Sequence, residues 1–112
     1  MRIRIEDHVK FDGARMAKIA LAATERAQLD LYCVAPGQSQ KPHTHVDQDK
    51  IYYVLEGAGR FSLAGKDLRL VSGEALVAPG GVEHGVTNDG TDPLLVLVVV
   101  TPPPHGQEAK KP

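Results

Sequence analysis

His43-Thr44-His45 sets two imidazoles two residues apart, and a further histidine, His84, follows downstream. On a β-strand, residues i and i+2 point to one face with Cα atoms about 7 Å apart. Two imidazoles so placed can chelate one ion through metal–nitrogen bonds of about 2.0–2.1 Å. A bare His-x-His more often marks two surface histidines on an edge, so its surroundings must decide. Lys50 and Tyr52 share strand parity and would line one interior. They are the candidate catalytic residues: an ammonium holds an anion and a phenol orients a ligand, although tyrosine in a core more often only packs. Cys33 shares parity with Leu29 and Leu31 and reads as a small buried hydrophobe, with Gln28, Asp30 and Tyr32 on the opposite face. His8 and His105 stand apart from the other three and read as surface or tail residues.

The elements that must position these side chains are short strands. Ala17 to Ala23 and Leu29 to Ala35 are apolar-rich and separated by a polar turn at Thr24-Glu25-Arg26. Alanine-rich Met16 to Ala23 also suits a short helix, but the all-β pattern of the remainder favours a strand. Ile51 to Leu55, Arg60 to Leu63, Asp67 to Val71, Ala75 to Ala78, Gly85 to Thr87 and Leu94 to Val100 follow. Turn signals lie between them, including a hairpin turn expected at Gly65-Lys66. Turns every ten residues or so, with no crossover helices, predict an all-β sandwich or barrel. Leu94 to Val100 is apolar without alternation, so both of its faces should be covered. A homodimer is the simplest cover, and segment 1–15 is the alternative within one chain. The barrel is expected over 16–102 and a disordered tail over 103–112, where Pro102-Pro103-Pro104 removes three sheet donors.

The 112 residues fit one domain able to bury its own core. A formal net charge of −1 gives no electrostatic ground for nucleic acid or an anionic membrane as partner. A single cysteine rules out an intrachain disulfide. The N-terminus lacks the long apolar segment of a secretory signal, and the reading is a soluble, cytoplasmic protein.

Two frames surround the histidines. Gly37, five residues, His43-Thr44-His45 and later Gly57 form the first; Gly73, five residues, Pro79-Gly80-Gly81, two residues, His84, three residues and Asn88 form the second. In this order and spacing they resemble the two motifs of the cupin superfamily, over roughly Met16 to Pro102. The resemblance implies an antiparallel jelly-roll-like cupin barrel of six or more strands. It also implies that His43, His45 and His84 are metal ligands, whose ring nitrogens should converge to about 3–3.5 Å of one another inside the barrel. Cupin sites usually add a glutamate five residues after the second histidine, and here that place holds Lys50. The glycine frame turns Lys50 inward. Simple strand parity from His45 would turn Asp49 inward instead, unless a bulge or turn over Val46 to Asp49 intervenes.

Three histidines without a carboxylate make a neutral set that leaves coordination positions open for substrate and for water or dioxygen. Imidazole suits iron, zinc, nickel, manganese or copper, so the divalent ion is not fixed by ligand type. Some cupin dioxygenases use three histidines. The expectation is a metal-dependent dioxygenase acting on a small organic molecule, or else a non-catalytic small-ligand-binding or sensor cupin.

Overall fold

The computed structural model describes residues 1–104 and holds nine strands in two antiparallel sheets. The strands are β1 (Ala17–Ala23), β2 (Gln28–Val34), β3 (Ser39–His43), β4 (Asp49–Glu56) and β5 (Ala58–Leu63), then β6 (Lys66–Val71), β7 (Ala75–Ala78), β8 (His84–Thr87) and β9 (Leu94–Thr101). A five-stranded sheet runs β1-β2-β9-β4-β7, and a four-stranded sheet runs β3-β8-β5-β6. The alanine-rich first element is a strand, because its pairing along β2 outweighs the helix propensity of alanine. The hairpin between β5 and β6 turns one residue earlier than expected. Leu63 pairs with Lys66, and Ala64 and Gly65 take the turn with φ of 53° and 81°, a two-residue turn whose twist matches the strands.

Tyr32, Val34, Tyr52, Val54, Phe61, Val86, Leu94, Val96 and Val98 are almost fully buried and fill the space between the sheets. Each such side chain contributes roughly 1.5–3 kcal/mol by leaving water. Strand β9 lies between β2 and β4 and does alternate. Leu94, Val96, Val98 and Val100 are buried inward, while Leu95, Leu97 and Val99 are half-buried on the outer face. Part of that outer face is covered within the chain. A short 3-10 helix, Ile5–His8, leads into a segment whose Ile5, Val9 and Phe11 line a groove with Leu55, Pro93 and Leu95. The Lys10 backbone reaches the Cys33 thiol, which is fully buried and whose ionisation burial pushes up.

Pro103 is buried and Pro104 half-buried, so the start of the expected tail packs on the barrel. The remainder of that tail, including His105, lies outside the described residues. No described helix is long and apolar enough to cross a membrane.

Candidate metal centre

Strands β3 and β8 pair antiparallel, and His43 and His84 are direct cross-strand partners. The pairing slips by one residue between Gln40 and His43. Gln40 faces Val86 and the interior, and without this bulge its parity would send Pro42 inward and His43 out. Pro42, which has no N–H to give, occupies the slip. Gly85 makes the approach of the two strands feasible. A Cβ there would lie 2.9 Å from the Gln40 carbonyl oxygen and the Pro42 nitrogen, closer than side chains tolerate.

His45 lies past the end of β3, where its carbonyl accepts the Gly81 N–H at 2.9 Å. Gly80 packs against the next turn, and a Cβ on it would sit 2.7 Å from the Val46 carbonyl oxygen. The Pro79-Gly80-Gly81 turn therefore ties the His-x-His segment to the segment carrying His84.

The three histidines come together, each offering a ligand atom within 4.8 Å of the others. Ring centroids are 4.4 Å apart for His43 and His84, 4.8 Å for His43 and His45, and 5.9 Å for His45 and His84. Two points differ from expectation. The span is wider than 3–3.5 Å, and His45 is exposed at the barrel mouth rather than enclosed. Both follow from its place on a loop beyond the sheet, where no cross-strand partner fixes its ring.

Hydrogen bonds settle which nitrogens are free. His43 Nδ1 donates to the Lys41 carbonyl at 2.9 Å, and His84 Nδ1 donates to the Val82 carbonyl at the same distance. In each ring Nε2 then keeps its lone pair. His84 is only 1% exposed, and its Nε2 has no hydrogen-bond partner. A buried imine nitrogen without a partner is costly in a protein interior and is what a metal ligand looks like without its ion. Burial lowers the proton affinity of all three rings, first by desolvation, and takes His84 to about 4. The imidazoles are thus neutral at pH 7, the form that ligates. Donor type, protonation and the free Nε2 atoms all fit a divalent ion.

Lys50 lies inside the barrel and is 5% exposed. The turn at Val46-Asp47 breaks strand parity between His45 and β4, which brings Lys50 in. Asp49 faces the other way, is exposed, and accepts the Gly80 N–H at 2.8 Å. The Lys50 ammonium donates to the Tyr32 hydroxyl at 3.2 Å, and no described carboxylate lies within 4.0 Å of it. Desolvation, with Lys18 next and Asp30 opposing, lowers its pKa to about 8. Tyr52 is fully buried, 6.2 Å from His84 between ring centroids, and its hydroxyl has no partner. Burial holds both tyrosines protonated, so each remains a donor.

Sequence reasoning placed Gln28, Asp30 and Tyr32 on one face of β2 but gave that face no role. It is the interior wall, where Gln28 Nε2 donates to Asp30 Oδ1 at 2.9 Å. The signal was an inverted strand: the apolar face, Leu29, Leu31 and Cys33, turns outward under the N-terminal segment, and the polar face turns in. Lys18, the cross-strand partner of Tyr32, and Gln40, whose Oε1 is buried without a partner, were also missed.

A family model described as a cupin domain matches residues 30–100. The protein is a cupin. The protein TT1209 from Thermus thermophilus has a similar solved structure, with a TM-score of 0.89 and 40% identity over 93% of this chain and 100% of that one. The tetracenomycin polyketide synthase protein TcmJ of Streptomyces glaucescens is 35% identical over 62% of this cupin and 46% of its own length. An oxalate-binding protein of Thermotoga maritima is 35% identical over 58% of this chain and 54% of its own length. The chain thus spans about half the length of these two curated relatives.

Proposed function

We propose that this cupin is a metal-dependent oxygenase acting on a small organic molecule, with His43, His45 and His84 as its metal ligands. The observation that carries the reading is the pair of histidines whose Nδ1 atoms are tied to backbone carbonyls, which leaves Nε2 of buried His84 without a partner. A bound divalent ion supplies Lewis acidity and, for a redox-active metal such as iron, copper, nickel or manganese, electron transfer with dioxygen.

The rest of the work falls to the chain. The Lys41 and Val82 carbonyls fix the tautomers and orient the rings. Tyr52 presents a protonated, unpartnered hydroxyl beside His84, able to donate to a substrate oxygen. Val54, Phe61 and Leu76 keep water from the inner wall. Lys50 keeps a positive charge there at pH 7.

A second reading is non-catalytic ligand binding. It is favoured by the ligand cluster itself, which among the described residues contains three histidines and no carboxylate. A relative named for oxalate binding fits it as well. Reconstitution with Fe2+ and measurement of oxygen consumption across a panel of small acids, enols and thiols separates the two. Consumption that disappears in His84→Ala supports the oxygenase; saturable binding with no consumption supports the binding protein.

A further inference from the structure

We propose that Lys50, Tyr32 and Lys18 form a cationic wall opposite the three histidines that holds the carboxylate group of the ligand. This rests on the metal-site reading and names the ligand class that the site accepts. Lys50 Nζ and Lys18 Nζ each lie 5.7 Å from the centre of the Tyr32 ring, and Lys50 also bonds the Tyr32 hydroxyl. Lys50 is buried, and Lys18 is exposed on the edge strand β1. Lys50 is near enough to disfavour protonation of all three histidines, and Lys18 that of His43 and His45, so both ammonium charges bear on the metal site.

The charges around that site do not balance. One buried carboxylate, Asp30, faces the two ammonium groups, and its bond from the neutral Gln28 amide cancels no charge; Asp47 acts on His45 alone. Three neutral imidazoles bring no negative charge, and a divalent ion adds two positive ones. Asp30 offsets one of the two ammonium charges without touching Lys50, so one positive charge is left over and the Lys50 ammonium, bonded to a neutral hydroxyl, can take an anion from outside the chain. The wall offers no arginine fork and no cradle of backbone N–H groups of the kind that holds phosphate. One ammonium and one hydroxyl, side by side, match one edge of a planar carboxylate. The ligand's remaining oxygens would then face the histidines.

The test uses the Co2+-loaded and metal-free full-length protein, titrated by calorimetry with glycolate, its neutral isostere glycolamide, and inorganic phosphate. Glycolate should bind saturably and glycolamide should not. Lys50→Met should weaken glycolate about 10- to 100-fold, the range for a buried charge-assisted hydrogen bond. Lys18→Met should weaken it by about 2- to 5-fold, and added salt should erase that smaller difference, as for an exposed charge. Tyr32→Phe should fall between them and guards against a folding defect in Lys50→Met. Equal glycolate affinity in wild type and Lys50→Met overturns the wall, as does the lack of saturable glycolate binding. Tighter phosphate than glycolate binding overturns the carboxylate assignment. Failure to take up Co2+ overturns the metal reading instead, and the metal-free titrations then judge the wall alone.

Discussion

His84 faces His43 directly across β8 and β3, with ring centroids 4.4 Å apart and both Nδ1 atoms tied to the carbonyl two residues earlier in their own chain. The pair is built by the sheet, whereas His45 arrives from a loop. Removing a sheet-borne ligand should therefore be worse than removing the loop-borne one. Elemental analysis of untagged protein is expected to give about one divalent ion per chain, near zero in His84→Ala and a partial loss in His45→Ala. A full complement of metal in His84→Ala would sink the site.

Acid should unfold the metal-free protein early. The folded His84 ring resists protonation down to about 4, while in the unfolded chain it takes a proton near 6.5. The unfolded state binds more protons between those values, so stability is present above about pH 6.5 and lost as pH falls towards 4. His43 and His45 shift in the same direction. Chemical denaturation in the presence of a chelator should show this slope, and His84→Gln should flatten it.

Lys50 gives a window of the same sign at higher pH. Its pKa of about 8 in the fold lies below the ordinary 10.5, so burying its charge costs stability in full below pH 8. The unfolded chain keeps the proton up to about 10.5, and stability recovers as pH rises between the two values. Lys50→Met is expected to be more stable than wild type at pH 7 by roughly 1–3 kcal/mol, with the gap narrowing as pH rises from about 8 to 10.5. Urea titrations at pH 7 and 10 check both statements.

Lys50→Glu would put a carboxylate where the usual cupin ligand stands. Metal affinity should rise, because a repelling cation is replaced by an attracting anion and a fourth donor. Glycolate binding should be lost in the same variant. An unchanged metal affinity would show that this side chain does not reach the ion.

The outer face of the five-stranded sheet also carries half-buried Leu97, Val99 and Ile51, along with exposed Tyr53 and Val77. We expect it to pair with a second copy as a homodimer. Sedimentation should give twice the 12.0 kDa chain mass at micromolar concentration, and Leu97→Asp should return the monomer. A monomeric wild type would refute this assembly.

The two motif frames carried the fold and the histidines, because each spacing encodes a physical demand: Gly57 and Gly80 stand where backbone passes too close for a Cβ. Inward Lys50 was legible from its distance to Gly57, against plain parity from His45, since the turn at Val46-Asp47 resets the alternation. The polar wall of β2 was not legible as a site. Alternation shows that Tyr32 and Leu31 face opposite sides, but not which side is the interior, and here the apolar side is covered by the N-terminal segment, which the strand pattern does not place. Strand β9 misled for a related reason: an unbroken apolar run hid an inside and an outside that differ in burial.

The two sheets divide the chemistry between them. His43 and His84 belong to the four-stranded sheet, while Lys18, Tyr32, Lys50 and Tyr52 stand on the five-stranded one. Substitutions on β1, β2 and β4 can thus change what is recognised without disturbing the strands that grip the ion. A chain built this way can keep one reactive centre through a long history of changing ligands, and its specificity can be redesigned from one wall.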